Sequence, residues 1–278
     1  MYLDSAQWQF RAADHPQVEA IPAFNDNYIW LLHDPESREA AVVDPGDAEP
    51  VLLALEQRAL TLSSILITHH HRDHTGGIEM LVRRLGARVF GPSAEAIAGL
   101  DQRLVDGDAI PIWNDGPIAK IIEIPGHTSG HIAYCLDPIG PDPRPLLFCG
   151  DTLFAAGCGR VFEGTPAQML DSLDRLAGLA PETLVYCAHE YTVGNLRFAL
   201  AAEPDSQSVR ARLGEALTLR SAGLPTLPSS IGIERQSNPF LRAGEPGVRA
   251  GVRAHLGTPP ADRLACFAAL REWKNAFR

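Results

Sequence analysis

From Ile21 to about Tyr186, short apolar runs of strand length alternate with clusters of turn residues. The stretches "NYIWLLHD", "AAVVDPGD", "LSSILITHHH", "ARVFGP", "AKIIEIPGHT", "HIAYCLDP", "PLLFCGDT" and "TLVYCAHE" each read as a strand that runs into a loop. Between them, "AEPVLLALEQRAL", "GGIEMLVRRLG" and "TPAQMLDSLDRLAGL" space Leu and Ile at helical intervals. In the last of these, Thr165 is placed to cap the helix and Pro166 to take its first position. The expected core is an α+β assembly in which helices cover sheet faces. After His189 the texture changes. "NLRFALAAE", "DSQSVRARLGEALTLRSAG", "GEPGVRAGVRAHLG" and "PPADRLACFAALREWKNAF" carry helical periodicity with no convincing strand. These runs predict a C-terminal all-helical domain over 192–278, after a strand-rich domain over 1–191. The intervening "LPTLPSSIGIERQSNPFLR", rich in Pro and Ser, reads as an ordered connection packed over other parts.

Composition narrows the class. The 278 residues are 45% hydrophobic and 21% charged, which is ordinary globular composition. No apolar run reaches the roughly 18 residues that a membrane helix needs. The start "MYLDSAQWQFRAADHP" has an early acid and no apolar stretch, so it does not read as a secretory signal, and a cytoplasmic, soluble protein is expected. Cys135, Cys149, Cys158, Cys187 and Cys266 are odd in number and never form a CxxC pair, which favours buried thiols over disulfides or a thiolate metal site. A formal charge of −10 argues against nucleic-acid or anionic-membrane partners, both of which need a basic surface.

Metal-ligand residue types follow directly after four of the apolar runs. They are His69, His71, Asp73 and His74 after "SSILIT", His127 after "IIEIPG", Asp151 after "PLLFCG" and His189 after "TLVYCA". Loops at one edge of a rigid sheet would gather all of them into a single site. On an extended segment alternate residues point the same way, so His69, His71 and Asp73 are expected to converge while His70 and Arg72 point elsewhere. So many imidazoles and a carboxylate at one strand end would repel when protonated and cost desolvation when buried, unless a cation sits among them. Neutral imidazoles and carboxylates suit zinc, iron or manganese, and seven ligands exceed what one four-coordinate ion takes. Two divalent ions sharing Asp151 are the economical arrangement. Such sites activate a shared water and polarise an electrophile, which implies hydrolysis without a protein nucleophile. His131 reads as a structural histidine, and His15, His33 and His255 as surface residues.

"THHHRDHTGG", followed in order by "PGHTSGH", "FCGDTLF" and "YCAHEYT", resembles the signature of the metallo-β-lactamase superfamily. That resemblance implies an αββα sandwich with a binuclear site at the sheet edge. It assigns His69, His71 and His127 to one metal, Asp73, His74 and His189 to the other, and Asp151 as the bridge. "GDTLFAAGCGRVFEGTPAQM", "HEYTVGNLRFA", "SNPFLR" and "ALREWKNAF" further resemble the glyoxalase II, or hydroxyacylglutathione hydrolase, family, including its C-terminal helical domain. By that likeness Arg160, Tyr191, Arg271 and Lys274 would bind the glutathione arm of a thioester. Arg271 and Lys274 stand three apart on a helix and so share a face. Arg160 stands where the family often has Lys, and Phe162 where it has a tyrosine, so the Phe162 substrate contact lacks a hydroxyl donor.

The activity so implied is hydrolysis of S-D-lactoylglutathione to glutathione and D-lactate, the second step of methylglyoxal detoxification. A metal-bridging hydroxide held by Asp73 and Asp151 would be the attacking group. Two divalent ions are expected, with Zn ahead of Fe or Mn, in a monomer whose partner is the small thioester. The competing readings are a glutathione persulfide dioxygenase with a single iron, a lactonase of the same superfamily, and a non-catalytic metal-binding sensor.

Overall fold

In the computed structural model, which describes residues 17–277, the chain opens on a hairpin, β1 (Val18–Ala23) and β2 (Asn27–His33). The first half continues through β3 (Glu39–Val43), α1 (Ala48–Arg58), β4 (Thr61–Leu66), the single turn α2 (Arg72–Thr75), α3 (Ile78–Leu85), β5 (Arg88–Pro92) and β6 (Gln102–Leu104). Its six strands form one sheet in the order β1-β2-β3-β4-β5-β6, antiparallel up to β3 and parallel from there on. The second sheet takes β7 (Ala109–Pro111), β8 (Ile118–Glu123), β9 (Ile132–Leu136) and β10 (Leu146–Gly150). After β10 come a small hairpin, β11 (Leu153–Phe154) and β12 (Gly157–Cys158), then α4 (Pro166–Ala177) and β13 (Leu184–Cys187). The remainder is α5 (Thr192–Ala202), α6 (Gln207–Ser221), β14 (Ser229–Ser230), α7 (Ile231–Ser237), α8 (Pro246–Leu256) and α9 (Arg263–Ala276). The second sheet has the order β14-β13-β10-β9-β8-β7.

The sequence of β2 shows why two sheets stack. Tyr28, Trp30 and Leu32 join the core between the sheets, whereas Ile29 and Leu31 join a second core under α1 and α3. A strand covered on both faces is continuously apolar, with alternate side chains serving different layers. Contacts cross between the sheets. Trp30 Nε1 donates to the Cys187 carbonyl at 3.0 Å, and the Tyr134 hydroxyl donates to the Ile67 carbonyl at 2.9 Å. On the other side, α4 adds Met169, Leu173 and Leu176 to the same contiguous apolar cluster. This helix begins as its sequence predicts: Thr165 and Gln168 form a reciprocal capping box and Pro166 opens the first turn.

Every run read as a strand or helix from its periodicity is present, and the differences are local. The Pro- and Ser-rich connection contains α7 and the two-residue β14, which pairs antiparallel with β13, so the region after His189 is not free of strand. Short strands such as β6, β7, β11 and β12 are too brief to show a period. His15 lies outside the described residues. No helix among the described residues is long and apolar enough to cross a membrane.

Candidate metal centre

The second sheet's strands set the site. β8 runs parallel to β10, with β9 antiparallel between them, and β10 pairs parallel with β13, so all three deliver their C-terminal ends to one edge. His127, Asp151 and His189 follow those ends. β4 of the facing sheet ends at Leu66 and delivers the Thr68–His74 segment to the same place. Gly150 makes the turn into Asp151 with φ of +46°, and a Cβ there would stand 2.3 Å from Thr68 Oγ1, so only glycine fits.

All seven predicted ligands meet. His69, His71 and His127 present ring nitrogens within 4.8 Å of one another, as do Asp73, His74 and His189 with their ligand atoms. Asp151 lies between the two groups. Its Oδ2 is 3.4 Å from His127 Nε2, and its Oδ1 is 3.3 Å from His189 Nε2 and 3.6 Å from His74 Nε2. Asp73 Oδ2 closes the second group at 3.4 Å from His74 Nε2 and 3.6 Å from His189 Nε2. One expectation needs correction. Asp73 and His74 sit on the helical turn α2, so Asp73 converges by the turn and not by extended alternation. Gly76 and Gly77 have negative φ, at −62° and −86°. They are needed for close approach, since a Cβ would meet Gly46 O at 2.5 Å or Pro45 O at 2.6 Å.

Partners outside the cluster fix the rings. His127 Nδ1 donates to the Arg160 carbonyl at 2.8 Å, and His189 Nδ1 faces Asp26 Oδ1 at 2.8 Å. Thr68 Oγ1 donates to Asp44 Oδ2 at 2.7 Å, so His69 Nδ1, 3.0 Å away, is the donor to that hydroxyl oxygen. In each case the Nδ1 proton is engaged and the Nε2 lone pair turns inward. Two such lone pairs, on His69 and His127, approach His71 Nδ1 at 3.0 and 3.1 Å. Three nitrogens that share at most one proton repel one another unless a cation lies among them. Both nitrogens of His74 and Asp151 Oδ1 are buried with no hydrogen-bond partner among the described residues. His74 Nδ1 comes within 3.1 Å of Asp44 Oδ2 but is not aligned for a hydrogen bond. Buried polar atoms without partners are costly, and this donor set fits divalent cations.

The electrostatics agree. Burial alone would raise the Asp151 carboxyl, but His74, His189 and His127 hold it well below the carboxylate range. The adjacent His74 imidazole, 3.4 Å away, does the same for Asp73, against opposing burial. Burial, then the neighbouring imidazoles, pushes His69 well below its ordinary value, leaving it neutral as a ligand must be. Burial opposes charge on His189 too, yet Asp151 and Asp26 raise it to about 9.

The non-ligand histidines separate cleanly. His70 turns away, with Nδ1 2.9 Å from Glu95 Oε2 and Nε2 3.3 Å from Glu163 Oε1. His131 is structural: Nδ1 donates to Ile132 O at 3.0 Å and Nε2 accepts the Asp151 backbone N–H at 3.1 Å. His255 is exposed and stacks on Trp273, whereas His33 is half-buried against Glu19.

Around the mouth, Phe162 is 61% exposed and meets the rings of His71 and His127 edge-on at 5.8 and 5.2 Å. Tyr191 stacks flat on His189 at 4.8 Å. Arg160 is exposed, and Lys274 is half-buried near the Phe198 and Phe277 rings. Burial, then Arg271 and Arg160, lowers the Lys274 pKa. Among the described residues none of these three cations has a carboxylate partner. Arg271 is the buried member of the three. It is only 7% exposed and its Nη1 donates to Cys158 O at 2.6 Å, although its buried Nε has no partner. Asp26, Asn27 and Asp44 are the supporting residues that the sequence reading did not single out. Asp44 ends the run "AAVVD" as Asp151 ends "PLLFCGD", so the same signal marks it. The hairpin turn 24–26 carried no such mark.

The αββα sandwich and its two-lobed His and Asp cluster define a metallo-β-lactamase-type metal-binding protein. The sequence model of the Metallo-beta-lactamase superfamily matches residues 24–189, and that of the Hydroxyacylglutathione hydrolase C-terminus matches residues 190–277. Hydroxyacylglutathione hydrolases from Ectopseudomonas mendocina (strain ymp) and Cupriavidus taiwanensis are 55% and 52% identical, each over 94% of this chain and 99% of the relative. The chain therefore belongs to the hydroxyacylglutathione hydrolase family. Among solved structures, ETHE1 from Myxococcus xanthus covers 92% of this chain and 100% of its own, with TM-score 0.59 and 25% identity. The BLEG-1 B3 metallo-beta-lactamase covers 81% and 99%, with TM-score 0.60 at 21% identity, and shows the shared fold.

Proposed function

We propose that the protein is a binuclear thioester hydrolase that converts S-D-lactoylglutathione to glutathione and D-lactate, as a cytoplasmic monomer. The observation that carries this reading is the divided cluster, in which Asp151 Oδ2 faces His127 and Asp151 Oδ1 faces His74 and His189. In this reading His69, His71 and His127 hold one divalent ion, Asp73, His74 and His189 the other, and Asp151 serves both, with Zn favoured over Fe or Mn. When bound, the ions supply Lewis acidity toward the thioester carbonyl and lower the pKa of water in the site.

The chain's own groups do the placing. Asp73 and Asp151, held ionised, accept hydrogen bonds from the attacking water and orient it toward the carbonyl carbon. Arg160 and Lys274, lacking carboxylate partners, bind the carboxylates of the glutathione arm, and Arg271 contributes its unpaired buried Nε on the same side. Tyr191, anchored flat on His189, offers its hydroxyl to the peptide. Phe162 packs against the substrate beside His71 and His127. The domain up to Tyr191 carries the catalytic groups and, through Arg160, Phe162 and Tyr191, part of the substrate contact, which the helical domain from Thr192 onward completes. The family membership supports hydrolysis over the dioxygenase, lactonase and sensor readings.

The test compares S-D-lactoylglutathione with the lactoyl thioester of a small neutral thiol. KM should be at least tenfold lower for the glutathione thioester, and Lys274→Ala should remove most of that difference with kcat nearly unchanged. Equal KM for both thioesters would refute the assignment of the glutathione arm.

A further inference from the structure

The hairpin β11–β12 carries none of the metal-ligand residues, yet the C-terminal helices hold its backbone almost group by group. Asn195 of α5 donates to Ala155 O at 3.1 Å, and the carboxylate of Glu234 on α7 accepts the Ala156 N–H at 2.7 Å. Asn238, which ends α7, donates to Phe154 O at 3.2 Å and to Gly157 O at 2.9 Å. Arg271 of α9 donates to Cys158 O at 2.6 Å and Gly159 O at 3.3 Å while its guanidinium lies over the Phe240 ring. Glu234 is wholly buried, its charge met by Arg212 of α6 at 2.5 Å. The hairpin itself is under local constraint, since Ala156 has φ of +55°, a region unfavourable for a residue with a Cβ.

The C-terminal end of this held segment touches two of the assigned ligand residues. Gly159 packs so closely that a Cβ would stand 1.9 Å from the Asp151 carbonyl oxygen, and its N–H donates to Thr152 O at 3.1 Å. The next residue, Arg160, supplies the carbonyl that accepts from His127 Nδ1, and Phe162 N–H donates to His127 O at 3.3 Å. A shift of the hairpin therefore moves the groups that orient His127 and Asp151. Two-residue strands cannot fix that position by themselves.

We propose that the C-terminal helices set the geometry of the metal centre through this hairpin, with Asn238 and Arg271 as positioning residues for His127 and Asp151. The helical region thus helps to build the metal site as well as to meet substrate. The inference rests on the ligand assignment above, and its test separates the two.

Divalent-metal affinity is measured by competition with a chromophoric chelator for the full-length wild type, Asn238→Ala, Arg271→Met and Lys274→Ala, with urea unfolding of the metal-free proteins alongside. Losing an outer partner of a ligand weakens metal binding by about 10–100-fold. Asn238→Ala and Arg271→Met should each show a loss of that size. Lys274→Ala, on the same helix and near Cys158 but making no hydrogen bond to the hairpin backbone, should stay within about twofold. If Asn238→Ala does not fold, Arg271→Met reads the same coupling from a different helix. A wild type that binds no divalent ion overturns the ligand assignment and this inference with it. Wild-type binding that both hairpin variants leave within twofold, or that Lys274→Ala weakens equally, overturns the coupling alone.

Discussion

Raising the pH from 7 to 9 should tighten divalent-metal binding by about fiftyfold or more, through loss of the His189 imidazole proton. His189 must present a neutral Nε2 to a metal, but beside Asp151 and Asp26 its pKa stands at about 9, against burial that favours the neutral ring. At pH 7 only about one His189 in a hundred is neutral in the metal-free protein, so the apparent affinity carries that factor. It should climb about tenfold per pH unit and level off above about 9, more steeply where the proton on His74 is displaced as well. The same shift runs the other way for stability. A pKa raised from 6.5 to about 9 stabilises the metal-free fold fully below 6.5, and that contribution, roughly 3 kcal/mol, is lost as the pH rises through 9. Metal affinity should therefore rise over the window in which metal-free stability falls. Chelator competition at constant ionic strength from pH 6.5 to 10, paired with urea unfolding of the stripped protein, measures both slopes. An affinity that stays flat between pH 7 and 9, after correction for the chelator, would refute the placing of His189 between Asp151 and Asp26 as a metal ligand.

Other perturbations have equally definite outcomes. Phe162→Tyr restores a hydroxyl at an exposed position beside His71 and His127 and should lower KM for a glutathione thioester by about threefold, the size of one modest hydrogen bond, with kcat within twofold in steady-state kinetics. Glu19 is held at about 2 because His33 and Arg58 outweigh its burial, so its contribution is full above 4.5 and lost as the pH falls through 2. Discounted for its partial exposure, Glu19→Gln should cost about 1 kcal/mol in urea unfolding at pH 7 and nothing near pH 2. Gly251→Ala would set a Cβ 1.8 Å from the Ala202 carbonyl where α8 crosses α5, so thermal unfolding should report a loss of roughly 1–3 kcal/mol.

Most of the site was legible because its signal is local. A ligand residue immediately after an apolar run marks the C-terminal end of a strand, and parallel strands deliver such ends to one edge, as β8, β10 and β13 do here. The ligand geometry was legible only in part, since nothing in "HHHRDH" distinguishes an extended segment from the turn that carries Asp73 and His74. His70 is the instructive case. Spacing turned it away from the metals, but its pairing with Glu95 and Glu163 depends on residues 25 and 93 positions onward, which no local pattern links. The burial of Arg271 is likewise tertiary, because a helical face can be recognised in sequence while the hairpin packed against it cannot. The resemblance placed Arg271 at the substrate; its bonds to Cys158 and Gly159 come from the fold.

The central claim is that the divided His and Asp cluster hydrolyses a glutathione thioester. Its most direct test follows the thioester absorbance of S-D-lactoylglutathione with the metal-loaded and the chelator-stripped protein, with an oxygen electrode monitoring glutathione persulfide in parallel. The account predicts rapid, metal-dependent loss of the thioester with stoichiometric release of glutathione, and no oxygen uptake. Oxygen consumption on the persulfide with the thioester left intact by the metal-loaded protein would contradict it.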